Sequence, residues 1–304
     1  MTTQQKRSEI RSWNRKHESQ VREIKYSFHL IKRSPLSLLG LAMIVAIVFI
    51  SVFAPVLAPY DPLQVDFSQA FRPPSWQHPF GTDDLGLDVY SRVLYAGLYD
   101  LSIGVIVFAV AATVGSMVGV LAGYKGGKTD ELMMRVADIF LSIPGLVLAM
   151  AASAAFGTRS LQVLVFAIAL NRWPSYSRFV RGQTLSIRES QFIEAARSVG
   201  AKGRRIMLRH ILPNVISPII VNGTLDIGNI ILTVATLSFV GLGAPPGSPE
   251  WGRMVTDGRI YMQAAPWIMI FPGLTIFIAV MGYNLLGDGL RDILDPRVRA
   301  RMGA

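Results

Sequence analysis

Four polar side chains, Asn222, Asp226, Asn229 and Thr233, stand at i, i+4, i+7 and i+11 within the long apolar stretch Pro213 to Val240. That spacing places them on one face of a single helix. A second apolar stretch, Leu161 to Val180, carries Arg172 and Arg178. Ionisable groups in such surroundings must face protein or a wet cavity, so the stripe either lines an aqueous path or hydrogen-bonds a neighbouring helix. The path is the preferred reading, and Arg172 is the candidate partner for Asp226. This is the chemistry of binding and passage. Bond-breaking chemistry finds no support, because the chain has no GxxxxGK[ST], HExxH or GxSxG motif. It has no cysteine, and His17, His29, His78 and His210 are scattered without ligand spacing. The expectation is therefore no catalytic residue, no metal site and no cofactor held by this chain.

The elements that must hold these residues follow from composition. Of 304 residues, 51% are hydrophobic and 16% charged, a poor match to a soluble globule. Leu36 to Ala58, Leu101 to Gly123, Ile139 to Gly157 and Ala265 to Gly287 each pass without one charged side chain. Runs of about 19 to 23 residues cover a roughly 30 Å hydrocarbon layer at about 1.5 Å per residue. With the two polar-interrupted stretches above, six transmembrane helices are expected in an all-α membrane protein. Asp226 lies 13 residues beyond Pro213, about 20 Å into its span.

Charge fixes the orientation. The net charge of +10 is concentrated: 23 of the 30 Lys/Arg fall in the segments 1–35, 124–135, 181–212 and 288–304. That asymmetry is the positive-inside pattern, so both termini are expected on the cytoplasmic side and no nucleic acid is needed to explain the basic charge. A mostly polar stretch of more than thirty residues precedes the first apolar run, so a retained membrane anchor is expected there and not a cleaved leader.

On the outer side, APYDPLQVDFSQAFRPPSWQHPFGTDDLGLDVYSR holds four prolines between Pro59 and Pro74 and five aspartates. Its backbone cannot be satisfied in hydrocarbon, so it is expected as an external loop that contacts a partner or caps an entrance. The segment Gly241 to Pro266 is expected at the outer interface, with Trp251 and Tyr261 at headgroup level. Gly115, Gly119 and Gly123 share one helix face and are expected to pack against another helix. Arg135 and Asp138 are expected to pair across one turn, and Pro144 to kink the third span near its middle.

The cytoplasmic stretch QFIEAARSVGAKGRRIMLRHILPN, Gln191 to Asn214, carries the most specific signal. Phe192 to Val199 reads as a short helix whose Ala195 and Ala196 allow close docking of another protein. Gly200 and Gly203 permit a sharp turn, and a second short helix leads into Pro213 and the fifth span. Glu194-Ala195-Ala196, three residues, Gly200, then Leu212-Pro213 resembles the EAA loop of ABC importer permeases, with His210 where that pattern favours isoleucine and Ile211 one residue later. GTDDLGLDVYSR, SFVGLGAPPGSPEWG and NLLGDGLRDILDPR resemble signatures of the C-type permease in the dipeptide/oligopeptide/nickel group. The first departs at Leu87 and the second at Pro245 and Gly247.

The resemblance covers about residues 30–300 and implies a type I (MetI-like) importer fold in the cell membrane. It also implies partners: a second homologous permease, two ATP-binding-cassette subunits that hold the ATP and magnesium, an external solute-binding protein, and the bilayer. Under it, Phe192, Glu194, Ala195, Ala196, Gly200, Leu212 and Pro213 form the ATPase-coupling loop. The path falls to Arg172, Asn222, Asp226, Asn229 and Thr233. Gly81, Thr82, Asp83, Asp84, Asp88, Glu250 and Trp251 are expected either to face the binding protein or to form structural turns. The organisation is then a cytoplasmic arm (1–34), a first transmembrane helix with its external loop (35–100), a transmembrane core (101–290, its cytoplasmic loop 181–212) and a cytoplasmic tail (291–304). Peptides are the modal cargo of the resembled group; nickel chelates, glutathione and oligosaccharides are the alternatives. An ion-coupled secondary transporter with Asp226 as the ion site is the rival from another class.

Overall fold

A computed structural model of the protein describes residues 34–156 and 161–294. The expected basic arm lies almost wholly outside these residues, as does most of the C-terminal tail.

Every long element is a helix. Helix α1 (Pro35–Val52) starts at the Ser34 cap, whose side chain accepts from the Ser37 N–H, with Pro35 at the first helical position where no N–H is needed. Its buried residues are small: Ser37, Gly40 and Ser51. A Cβ at Gly40 would lie 2.7 Å from the Leu286 N, so this face lies directly on the backbone of the last helix. The short helix α2 (Ala54–Leu57) ends the apolar run and the external loop follows.

Helix α3 (Val89–Lys125) has 37 residues, about 56 Å, and begins twelve residues before the expected span because Asp88 caps it through the Ser91 N–H. Helices α4 (Gly127–Ser142) and α5 (Gly145–Phe156) meet at 83°. The expected third span is therefore not one kinked helix. Pro144 disfavours helical backbone at Ile143, which is extended, and the chain breaks there. Arg135 pairs with Glu131 at 2.9 Å, one turn away, and Asp138 pairs with Arg178, forty residues further along the chain, so the expected Arg135–Asp138 pair does not form.

Helix α6 (Leu161–Arg188) is followed by two short helices, α7 (Gln191–Ser198) and α8 (Gly203–Ile206), a π-turn at Met207–Ile211, and α9 (Leu212–Phe239). Helix α10 (Trp251–Gly258) precedes the last described helix, α11 (Trp267–Leu294). Four helical stretches among the described residues are long and apolar enough to cross a membrane, and five if the bent α4–α5 pair is one span. Helix α6 has the length, about 42 Å, but Arg172, Arg178, Arg181 and Arg188 make it too polar to qualify on composition.

The α3–α6 seam is the most extensive in the bundle. Its glycines behave as the sequence implies: a Cβ would lie 2.5 Å from the Tyr176 Cβ at Gly115, 2.5 Å from the Ser177 O at Gly119, and 2.8 Å from the Thr184 Cβ at Gly123. Lipid provides no hydrophobic force between helices, so this close approach supplies the attraction through dispersion. One apolar cluster gathers the outer ends of α3, α9, α10 and α11 around Trp251, and another joins α3, α6 and α9 to the cytoplasmic loop. Gly119→Val should force α3 and α6 apart at a cost of about 1–3 kcal/mol, seen as a lower thermal midpoint of the solubilised transporter. Gly182→Ala, whose added Cβ meets no atom within 4 Å, should leave that midpoint unchanged.

Candidate functional site

The intramembrane residues do come together. The Arg172 Nη1 donates to the Asp226 Oδ1 at 2.7 Å, and its Nη2 donates to the Thr233 hydroxyl at 3.2 Å. Tyr176, one turn beyond Arg172, donates its hydroxyl to the other Asp226 oxygen at 2.9 Å. Tyr176 escapes a search for charged residues, although its i+4 spacing from Arg172 is the available signal. Three donors from α6 thus converge on one carboxylate and its neighbouring hydroxyl on α9. Asn222 and Asn229 are exposed, and Asn229 donates its amide to the Leu225 O of its own helix at 3.4 Å. The stripe is divided: Asp226 and Thr233 bond a neighbouring helix, while the two asparagines lie on an open face. The polar capacity left there calls for water or another polar surface.

The cytoplasmic loop is built on a defined turn. Helix α7 buries Ile193 completely, whereas Phe192 is 48% exposed, Glu194 and Ala195 are exposed, and Ala196 is half-buried. Gly200, at φ 80°, sits in the left-handed region just past the helix end. The Gly200 N–H donates to the Arg197 O at 2.9 Å and the Ala201 N–H to the Ala196 O at 3.0 Å, the paired bonds of a Schellman motif. A side chain at Gly200 would have room but not the backbone conformation.

The π-turn explains the displaced isoleucine. Ile206 and Ile211 are five residues apart and both fully buried, yet in an α-helix they would point about 140° apart. A π-turn closes i to i+5, bringing both onto the core face and leaving His210 half-exposed. Leu212 is half-buried, and Pro213 falls in the first turn of α9, where its missing N–H costs nothing. Tyr124, near the end of α3, fixes the loop laterally: the Arg197 guanidinium lies 5.7 Å from its ring centre, and a Cβ at Gly203 would lie 3.0 Å from its Cε1. The Arg188 Nη1 donates to the Gly123 O at 3.0 Å.

The external residues face inward. Gly81, Thr82, Asp83, Asp88, Glu250 and Trp251 are all buried, and only Asp84 is partly open. Asp83 accepts from the Leu85 and Leu87 N–H groups at 3.0 and 2.8 Å and lies 3.4 Å from the Arg92 Nη1. Burial pushes its carboxyl up, and Arg92 with those two N–H groups opposes the shift. The Thr82 hydroxyl bonds the Gln69 O, Asp88 caps α3, and the Tyr261 hydroxyl donates to Asp84 at 3.2 Å. Glu250 caps α10 through the Gly252 and Arg253 N–H groups at 2.9 and 2.7 Å. Burial raises its carboxyl as well, against the two N–H groups it caps. The Trp251 Nε1 donates to the Val93 O at 3.0 Å. These contacts dock α10 on α3 and order the loop; apart from Asp84, this set does not offer a receptor-facing surface in this structure.

A helical bundle of membrane-spanning length with a divided polar stripe is the architecture of a membrane translocation component. The chain belongs to the family of binding-protein-dependent transport system inner membrane components, whose model matches residues 115–300. The N-terminal TM domain of oligopeptide transport permease C matches residues 24–74. It is 42% identical over 274 residues to the dipeptide transport system permease protein DppC of Alkalihalophilus pseudofirmus, covering 90% of each chain. It is 44% identical over 268 residues to the probable D,D-dipeptide transport system permease protein DdpC of Escherichia coli K12, covering 88% of this chain and 90% of that one. The glutathione transport system permease protein GsiD of Escherichia coli O157:H7 is 42% identical over 269 residues, 88% of both. The structure of the MetNI methionine ABC transporter shares the fold, with a TM-score of 0.55 and 21% identity over 67% of this chain and 96% of that one.

Removing one member of the Arg172–Asp226 pair should cost more than removing both. Arg172→Ala leaves a mostly buried carboxylate with Tyr176 alone and should destabilise the transporter by about 3–5 kcal/mol. The double variant with Asp226→Ala should recover a large part of that loss in a thermal-unfolding cycle.

Proposed function

We propose that the chain is one of two permeases of an ATP-driven importer of di- and oligopeptides. In this reading it spans the membrane six times, counting α6 and the bent α4–α5 pair, with both termini in the cytoplasm of a cell bounded by that inner membrane. It performs no catalysis itself. Two partner ATPase subunits hold ATP and magnesium, a second homologous permease completes the path, and an external binding protein delivers the cargo.

The observation that carries the proposal is the geometry of α7. Ile193 is locked into the core cluster while Phe192 and Ala195 remain open on the other side. A partner that grips this open face moves the spans, because the same cluster contains Val180 of α6 and Val215 of α9. Closure of the ATPase subunits would then pull α7 and bias the bundle between inward-open and outward-open arrangements. Tyr124 would carry part of that displacement to α3. Arg172, Asp226, Thr233 and the open Asn222 and Asn229 would lie along the path, where polar groups can solvate the ends and amides of a peptide. The relatives named for dipeptide and glutathione transport support this cargo class, since glutathione is itself peptidic.

Gly200→Val tests the coupling. The β-branched side chain disfavours the left-handed turn by roughly 1–2 kcal/mol, so reconstituted transporter should retain its membrane level while dipeptide uptake and transport-linked ATP hydrolysis fall several-fold. Full uptake by the variant would contradict the role given to α7. Wild-type particles that import sugars or nickel complexes and no peptide would contradict the cargo.

A further inference from the structure

The external loop contains a pocket that the coupling mechanism does not use. A cavity of about 250 Å³ is lined by Tyr60, Gln64, Asp66, Gln69, Gln77 and His78 among others. His78 is only 7% exposed, stacks on Tyr60 at 4.7 Å between ring centres, and has its Nδ1 2.9 Å from the Asp88 Oδ1. A carboxylate can only accept, so the Nδ1 donates to Asp88, and in the neutral tautomer this bond selects the Nε2 is left as an acceptor. Among the described residues the Nε2 has no protein partner, and the ring borders the cavity. Asp88 is committed as well, its second oxygen taking the Ser91 N–H and hydroxyl at 2.7 Å.

The lining has a definite chemical bias. No lysine or arginine contributes to it, while Asp66 supplies a carboxylate, His78 a lone pair, and three glutamines amide carbonyls. One Asp66 oxygen is taken by Ser68, and the other has no protein partner among the described residues. Such a site complements a group with several N–H donors and a positive charge, as a primary ammonium has. Leu63, Phe67 and Trp76, sequence neighbours of the lining residues, are exposed, Trp76 fully. Exposed aromatic side chains near a charge-accepting socket are the anatomy of a protein interface. Between Ala58 and Asp88, Asp61 and Asp66 are exposed and Asp84 is partly open against the exposed Arg72, while Asp83 and Asp88 are buried, so the charge presented is net negative and complements a basic partner surface.

We propose that this pocket is the socket for a lysine side chain of the extracytoplasmic solute-binding protein, with Trp76 packing beside it. The proposal rests on the importer reading and moves the receptor contact away from the buried Gly81–Asp88 residues to the outer wall of the same loop. The buried residues hold the wall in place: Asp88 fixes the His78 ring, and Gly86 leaves room for Asp66, whose O would lie 1.8 Å from a Cβ there.

The chain has no cysteine, so Gln77→Cys introduces a single thiol at an exposed position. Whole transporter carrying it in lipid nanodiscs is treated with a short thiol-to-amine cross-linker in the presence of the purified cognate binding protein. The expected product is a covalent adduct mapping to one lysine of the binding protein. On the same particles, Gln77→Lys, which places a positive charge in the socket, should weaken binding-protein affinity at least tenfold. Adducts only with the second permease or with phosphatidylethanolamine amines would overturn the proposal. Affinity of the Gln77→Lys transporter within twofold of wild type would overturn it too. Peptide uptake by wild-type particles tests the importer reading separately: particles that import another solute, yet cross-link to their binding protein through position 77, lose the peptide cargo and keep the socket.

Discussion

A cytoplasmic loop can move a membrane bundle only if it is rigidly attached to it, and here that attachment is three isoleucines. Ile193, Ile206 and Ile211 are completely buried in one cluster with Val180 and Val215. Each such side chain contributes about 1.5–3 kcal/mol by leaving water. Fixing their geometry requires two backbone devices, the Schellman turn at Gly200 and the π-turn at Met207–Ile211. The first folds α7 back beneath the bundle; the second restores the register that His210 would otherwise break. The outer half relies on a different device, polar caps at Asp88 and Glu250 that start α3 and α10 and dock one on the other.

These attachments give the chain a division of labour. Close helix packing at Gly115, Gly119 and Gly123 makes α3 and α6 one unit. Arg172, Tyr176 and Asp226 tie that unit to α9 by a hydrogen-bonded pair, which can be exchanged at lower cost than a packed seam because its members find alternative partners in water or substrate. A displacement at α7 therefore reaches α9 through the isoleucine cluster and α3 through Tyr124.

Much of this was legible in the residues before any coordinates. The apolar runs, the glycine face and a sharp turn at Gly200 follow from spacing, which also offers Arg172 as a candidate partner for Asp226; that the two meet is known only from the structure. Other features depend on contacts that spacing does not contain. The burial of Thr82, Asp83 and Glu250 was hidden because polar residues in a loop read as surface, whereas here they satisfy backbone donors that packing has removed from water. Arg135 and Asp138 had two acceptable partners each at helical or interhelical range, and tertiary packing selected Glu131 and Arg178. The π-turn left only the indirect trace of an isoleucine one residue late. Tyr176 is neither charged nor in a motif, and only the position of Asp226 gives its hydroxyl a role.

The exposed face of α7 carries the central claim, and the absence of native cysteine makes it directly addressable. Ala195→Cys in the whole transporter, paired with single cysteines across the facing surface of the ATPase subunits, measures whether α7 seats on them. The predicted result is a disulfide-linked permease–ATPase product that arrests uptake and releases it on reduction. A thiol at position 195 that reacts with small aqueous reagents, yet links to no ATPase position and leaves uptake intact, would contradict the claim.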